Sequence, residues 1–258
     1  MRVPLFLSLA LAVSPAASAW DWGPDCRVEG PREASLDAAG AKTLRVLARA
    51  GALRIVGEPG ATAVKVAGKA CAHDQETLDA IRLRATKSGG ELRVEAEMPE
   101  SFSGIGSFHA RLDLELRVPA SLPLEVEDSS GLVEIADVAS LRIEDGSGEI
   151  GVRNVAGEVE IRDGSGEIEV VGAGRVLIVD DGSGEIDLRD VKGDVVIRED
   201  GSGTITIRDV GGSVRIDDDG SGSVDVVGVA GDLLVGHKGS GAIRHDRVKG
   251  RVEVPRRR

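Results

Sequence analysis

Aromatic side chains are nearly missing from this 258-residue chain: tyrosine is absent, phenylalanine occurs three times and tryptophan twice, and none lies beyond Phe108. The second half therefore has no ring platforms on which sugars or single-stranded nucleic acid could stack. Cationic side chains are also in deficit, with 32 Lys and Arg against 44 Asp and Glu and a formal charge of −12. Such a chain repels phosphate backbones and anionic lipid, which excludes nucleic acid as a general partner. A flat threonine array of the ice-binding kind is lacking too, since Thr204 and Thr206 form the one Thr-x-Thr of the repeat described below.

Long apolar runs are missing as well. The run Leu5 to Val13 is too short to span a bilayer, and no later segment is apolar enough to be transmembrane. With Arg2 before it and the small residues Ala17-Ser18-Ala19 after it, this run has the layout of a secretory signal peptide over residues 1–19. Cys26 follows Gly23-Pro24-Asp25 rather than small apolar residues, so no lipid anchor is expected. The sequence predicts export, with the periplasm as first location and secretion or cell-surface display as alternatives. Cysteine is scarce: Cys26 and Cys71 are the only two, without Cys-x-x-Cys spacing and without a histidine cluster beside either. That argues against a thiol metal centre or redox pair, and an even pair in an exported chain predicts one disulfide.

Glycine, by contrast, is abundant at 35 residues, and it recurs with a period. One phrase returns as Asp128-Ser-Ser-Gly131, Asp145-Gly-Ser-Gly148, Asp163-Gly-Ser-Gly166, Asp181-Gly-Ser-Gly184, Asp200-Gly-Ser-Gly203, Asp219-Gly-Ser-Gly222 and Lys238-Gly-Ser-Gly241. The final glycines are 17, 18, 18, 19, 19 and 19 residues apart. A fixed period of this length is the mark of a solenoid. Each period holds two short segments of alternating character, such as Glu185 to Leu188 and Asp194 to Ile197, separated by a second glycine turn. Alternation of period two means strands with one buried face.

The inward pairs are expected to run Val133/Ile135, Ile150/Val152, Ile168/Val170, Ile186/Leu188, Ile205/Ile207 and Val224/Val226 on the first strand of each coil. Those on the second strand run from Leu124/Val126 and Leu141/Ile143 through Val195/Ile197 to Val252/Val254. Val138, Val155, Val191, Val210, Val229 and Val248 would plug the second corner. A coil with so few inward side chains cannot fold alone, so stacking is obligatory. Identical residues at one period favour like stacked on like, which parallel in-register strands achieve and an antiparallel meander does not. The fold class predicted is all-β: a parallel β-solenoid of two short strands per 18–19-residue coil, preceded by a non-repetitive β-rich cap.

The chain thus divides into the signal (1–19), a β-rich N-terminal cap region (20–120) and the solenoid with a basic C-terminal cap (121–258). In the cap region, strands are expected over 43–48, 52–56, 63–67, 81–86, 91–97 and 108–118, with a hairpin at Lys87-Ser-Gly-Gly90 and one helical turn within 74–80. At the other end His245 falls on an inward position, and His237, Lys238, Arg244, Arg247, Lys249 and Arg251 make the tip basic before Pro255-Arg-Arg-Arg258. Charge and proline blunt a sheet edge, so edge protection is the reading preferred there over contact with anionic envelope polymers.

Chemistry is thinner. The acidic row Asp145, Asp163, Asp181, Asp200 and Asp219 has the right residue type for calcium. Calcium rolls, however, place a liganding Asp where this chain has an apolar residue such as Ile186, and calcium takes six to eight oxygens. Calcium therefore stands as an alternative to carboxylates in solvent paired with Arg153, Arg162, Arg189, Arg198 and Arg208, and no cofactor is called for. An enzyme acting on polysaccharide needs long loops and paired catalytic groups. The coils vary by only two residues, His73, His109, His237 and His245 sit in dissimilar contexts, and no nucleophile motif surrounds any serine, so no catalytic residue is assigned.

The stretch Val155-Ala-Gly-Glu-Val-Glu-Ile-Arg-Asp-Gly-Ser-Gly-Glu-Ile-Glu-Val170 resembles the bacterial "putative adhesin" family, a domain of unknown function related to the GIN head domain of autotransporter adhesins. The resemblance covers residues 121–254 and, more loosely, 40–120. It implies a β-solenoid in an exported bacterial protein and supplies no catalytic residues. The chain ends in arginines rather than a membrane-barrel or sorting segment, which favours the periplasm. The function expected is a non-enzymatic binding or scaffold module of the cell envelope with an unidentified envelope or surface ligand and an undetermined oligomeric state. The alternatives are a polysaccharide lyase or hydrolase and a calcium-stabilised adhesion module.

Overall fold

The computed structural model describes residues 26–99 and 110–255. The signal expected over 1–19, together with Trp20, Trp22, Phe108, His109 and Arg256 to Arg258, lies outside the described residues. Among the described residues strand accounts for 74% and helix for 3%, and the strands coil into a parallel β-solenoid of about 7 turns.

The repeat folds as its alternation dictates. After β1 (Val28–Asp37), β2 (Thr43–Ala50), β3 (Leu53–Glu58), β4 (Ala63–Ala72), α1 (Gln75–Ala80), β5 (Arg82–Ser88), β6 (Glu91–Glu97) and β7 (Arg111–Pro119), the chain enters the repeat with β8 (Leu124–Ala136). It continues through β9 (Leu141–Asp145), β10 (Gly148–Asp163), β11 (Gly166–Asp181), β12 (Gly184–Val191), β13 (Val195–Val210) and β14 (Val214–Val229) to β15 (Leu233–Ser240), β16 (Ile243–Val248) and β17 (Val252–Glu253). Neighbouring coils pair in parallel with like over like: Ile150 on Ile168, Ile168 on Ile186, Ile186 on Ile205 and Ile205 on Val224. All of these are shut off from solvent, as are Val152, Val170, Leu188, Ile207 and Val226 beside them. The second corner is filled by Val138, Val155, Val191, Val210 and Val229, with Ala173 taking the place in the coil where no valine was expected.

Two glycine-dependent features hold the coils at strand-pairing distance. The last glycine of each phrase has φ between 103° and 152° from Gly131 to Gly241, a region L side chains avoid. A Cβ on Gly184 would meet the Gly166 carbonyl oxygen at 1.5 Å, so no other residue fits between stacked turns.

The solenoid also reaches back before the repeat becomes visible in the sequence. Strand β2 lies parallel on β8 with Leu44 on Leu124 and Val46 on Val126, and β3 does the same with Leu53 on Val133 and Ile55 on Ile135. Residues 43–58 therefore make a coil of the roll. On its far side β6 and β7 make a further one, with Leu92 on Leu44 and Leu114 on Leu53. The coil at 43–58 is thus held between two segments that both follow it in the chain.

The end beyond β6 and β7 is closed by a change of strand direction: β5 runs antiparallel to β6, β4 antiparallel to β7, and β1 antiparallel to β4. The hairpin expected at 87–90 is the β5–β6 connection. Helix α1 is the expected helical turn, capped by Asp74, whose carboxylate accepts the Thr77 N–H at 2.8 Å. Arg32 of β1 ties this corner down by donating to the carbonyls of Ile81 (2.9 Å) and Leu78 (2.7 Å). Cys26 and Cys71 form the expected disulfide, with Cα atoms 5.4 Å apart, and it fastens the start of β1 to β4.

Candidate functional site

The turn aspartates are not where the sequence placed them. Asp128, Asp145, Asp163, Asp181, Asp200 and Asp219 point into the roll and form one vertical row, at most 8% exposed, with Asp181 and Asp219 at 0%. Their expected arginine partners stay outside. Arg153 donates to Glu169 at 2.7 Å, Arg189 to Asp187 at 2.9 Å, and Arg162 and Arg208 stand 3.6 Å from Glu144 and 3.9 Å from Asp187. For Asp128, Asp145 and Asp163 the reason is strand parity: Leu141, Ile143 and Asp145 occupy alternate positions, so a carboxylate that begins a turn still faces the side of the preceding apolar pair. From Asp181 onward one more residue intervenes, and a register irregularity keeps the acid in the row.

The row has defined ends. At one end its next position on β15 is Lys238, whose ammonium lies 3.0 Å from the Asp219 carboxylate with its side chain only 5% exposed. At the other end the strand irregularity at 47–50 sets the exposed Arg49 opposite Asp128, while the positions four residues after Leu44 and Leu92 hold the buried Ala48 and Ala96. A small cavity of about 240 Å³ opens there, lined by Arg49, Glu127, Asp128, Ser129, Glu144 and Asp145.

Solvation inside the row is poor. Both carboxyl oxygens of Asp128, Asp163, Asp181 and Asp200 lack a hydrogen-bond donor. Asp145 has one bond, from the Gly146 N–H at 2.8 Å. Burial is the main cause that pushes Asp128 and Asp181 up to about 7 and Asp163 and Asp200 up to about 6, with neighbouring carboxylates of the row adding to it. Asp145 is raised for the same reason, against the opposing pull of the Gly146 and Ser147 amides. Among the described residues no group of three or more His, Cys, Asp or Glu side chains is placed to hold a metal ion.

Outside, the coils carry a lattice of ion pairs that runs along and between rungs. Arg142 reaches Glu144 (3.3 Å) on its own strand and Glu160 (3.8 Å) on the next coil, and Arg175 reaches back to Glu158 at 3.2 Å. Acidic side chains accompany the basic tip in the same manner: His237 lies 2.9 Å from Asp218, Arg244 3.5 Å from Asp225 and Arg251 3.4 Å from Asp232. His245 does stack on the inward Val226, but it is exposed, and among the described residues no strand pairs above it. His73 and His237 are exposed as well.

One apolar depression interrupts this charged exterior. A cavity of about 260 Å³ beside the β4–β7 pairing is lined by Ala52, Leu53, Arg54, Gly68, Leu114 and Leu132. Leu132, 36% exposed, is the one exposed large hydrophobic side chain among the described residues. Sequence reading did not find this groove, because it arises where coils distant in the chain meet the antiparallel cap.

Comparison with known proteins places the fold. No protein-family model matches the chain, and no curated protein does. The structure is similar to that of a putative adhesin from Bacteroides fragilis, with a TM-score of 0.58 at 12% identity, over 86% of this chain and 99% of that one. A putative adhesin from Parabacteroides distasonis matches over 87% and 96% of the two chains at 14% identity, with a TM-score of 0.40. A putative lipid binding protein from the same organism matches over 87% and 97% at 11% identity, with a TM-score of 0.36. The chain thus shares the solenoid architecture of an adhesin-like bacterial structure. Among the described residues, no helix is long and apolar enough to cross a membrane.

Proposed function

We propose that this chain is an exported, non-enzymatic, adhesin-like module of the bacterial cell envelope that binds or scaffolds through the outer faces of its coils. The observation that carries the reading is the exterior itself. Coils of nearly constant length leave no long loop with which to wall a cleft, while their outward side chains form a regular field of paired charges across successive rungs. Such a field suits recognition of an extended partner by many weak contacts. Within this reading the repeat is akin to the GIN head domain of autotransporter adhesins, and the disulfide is in keeping with an oxidising compartment.

The test is co-sedimentation of the purified chain, without residues 1–19, with isolated bacterial envelopes. Saturable retention is expected, weakened by replacing Arg142 and Arg162 with glutamate. Retention that never saturates, or that ignores the replacements, would count against recognition by the coil faces. Release of unsaturated products from uronic-acid polymers would replace this reading with that of a polysaccharide lyase.

A further inference from the structure

The aspartate row is a line of acceptors facing acceptors. An ionised carboxylate can only accept hydrogen bonds, and no well-formed one reaches the buried oxygens of Asp163, Asp181 and Asp200; the turn amides of Ser165, Ser183 and Ser202 pull the other way but by less than burial does. Their coils stack in register, Asp163 on Asp181 and Asp181 on Asp200, which sets buried carboxyl groups on adjacent rungs of one row. A hydrogen bond between such neighbours can form only if one of them carries a proton, because protonation turns one oxygen into a donor. The other charged groups facing the row are few: Lys238 at the last coil and, around the mouth, Arg49, Glu127 and Glu144. Of these Glu127 is taken by Arg45, and Glu144 by Arg142 and Arg162. One buried ammonium at one end cannot neutralise six carboxylates.

We propose that the interior row is a proton column: protonated aspartates donate to the carboxylates of adjacent coils, so that the solenoid takes up protons as it folds and is tightest in acid. The column lies inside the roll and is independent of what the outer faces bind.

The sign follows from where the protons sit. Folded-state values of about 6 to about 7 stand above the value of 3.8 for a free aspartate, so between these limits the folded chain holds more protons than the unfolded one. The stabilisation is complete below the free value and is lost as pH climbs through the folded values. Across that window each pH unit weakens the folding equilibrium about tenfold for every extra proton the folded column holds.

The experiment reads the proton directly. Infrared difference spectra of the folded, full-length chain near neutral pH are expected to show the carbonyl band of protonated carboxyl groups, fading as pH rises to about 8. Urea unfolding over the same range is expected to show stability falling as pH rises. Asp181→Asn with Asp200→Asn, whose amides supply donors without a proton, is expected to flatten that slope and reduce the band. A folded protein without the band near neutral pH overturns the column, whether or not the double variant folds. So does stability at high pH that calcium restores and a chelator removes, since the row would then hold a metal ion in place of protons.

Discussion

Lys238 occupies on the last full row the place that Asp219 holds on the coil before it, and the two side chains meet at 3.0 Å with 5% and 1% of their surfaces exposed. A lysine here ends the acidic column with its counter-charge. Replacing it by methionine leaves Asp219 buried without its ion partner, and breaking a buried pair from one side costs about 3–5 kcal/mol. Lys238→Met is expected to lose stability of that order in urea unfolding, and Lys238→Met with Asp219→Asn to recover most of it. Equal stability of the single and double variants would show that the pair is not coupled.

Glycine at the stacked turns is a matter of space. Gly184→Ala puts a methyl 1.5 Å from the Gly166 oxygen at φ 150°, and forced strain together with overpacking is expected to cost about 3 kcal/mol or more. Gly151→Ala meets nothing closer than 3.9 Å and has ordinary φ, so it serves as a near-neutral control. Comparable unfolding midpoints for the two variants would contradict the stacking.

Position along the roll sets the value of a core side chain. Ile186→Ala, in the middle and fully enclosed, is expected to cost about 2–5 kcal/mol. Ile243→Ala, half-buried on the last coil, is expected to cost less than half of that by the same measurement.

Reduction of the disulfide tests how the cap is fastened. Cys26 and Cys71 are 45 residues apart, and chain-entropy arguments assign such a loop about 4 kcal/mol. Thiol reductant is expected to speed amide exchange in β1 and β4 while leaving β10 to β14 protected. Uniform loss of protection along the chain would show that cap and coils unfold as one unit.

The repeated half of the fold was legible because every coil restates the same alternation, and six near-copies leave little freedom of register. The coil at 43–58 was read only as strands. Its spacing, Leu44-x-Val46 followed by Gly51-x-Leu53-x-Ile55, equals that of Leu124 to Ile135, but Ala48 replaces the aspartate and a long excursion separates it from the coil it stacks on. The inward aspartates were misread for a different reason. A polar residue beside glycine usually marks a solvated turn, and that expectation outweighed the parity of Leu141, Ile143 and Asp145. From Asp181 onward one more residue separates the apolar pair from the acid, and the irregularity between Ile161 and Arg162, where Arg162 pairs with Asp180, restores the acid to its row.

The interleaving of the earliest coil has a bearing on how the molecule can be made. Residues 43–58 find their neighbours on one side only once 91–119 exist and on the other only once 124–136 exist. A nascent chain released amino end first therefore cannot zip up in the order of its synthesis. Closure of that level waits on sequence still to come, and the coil is complete only once the middle third of the chain has been delivered.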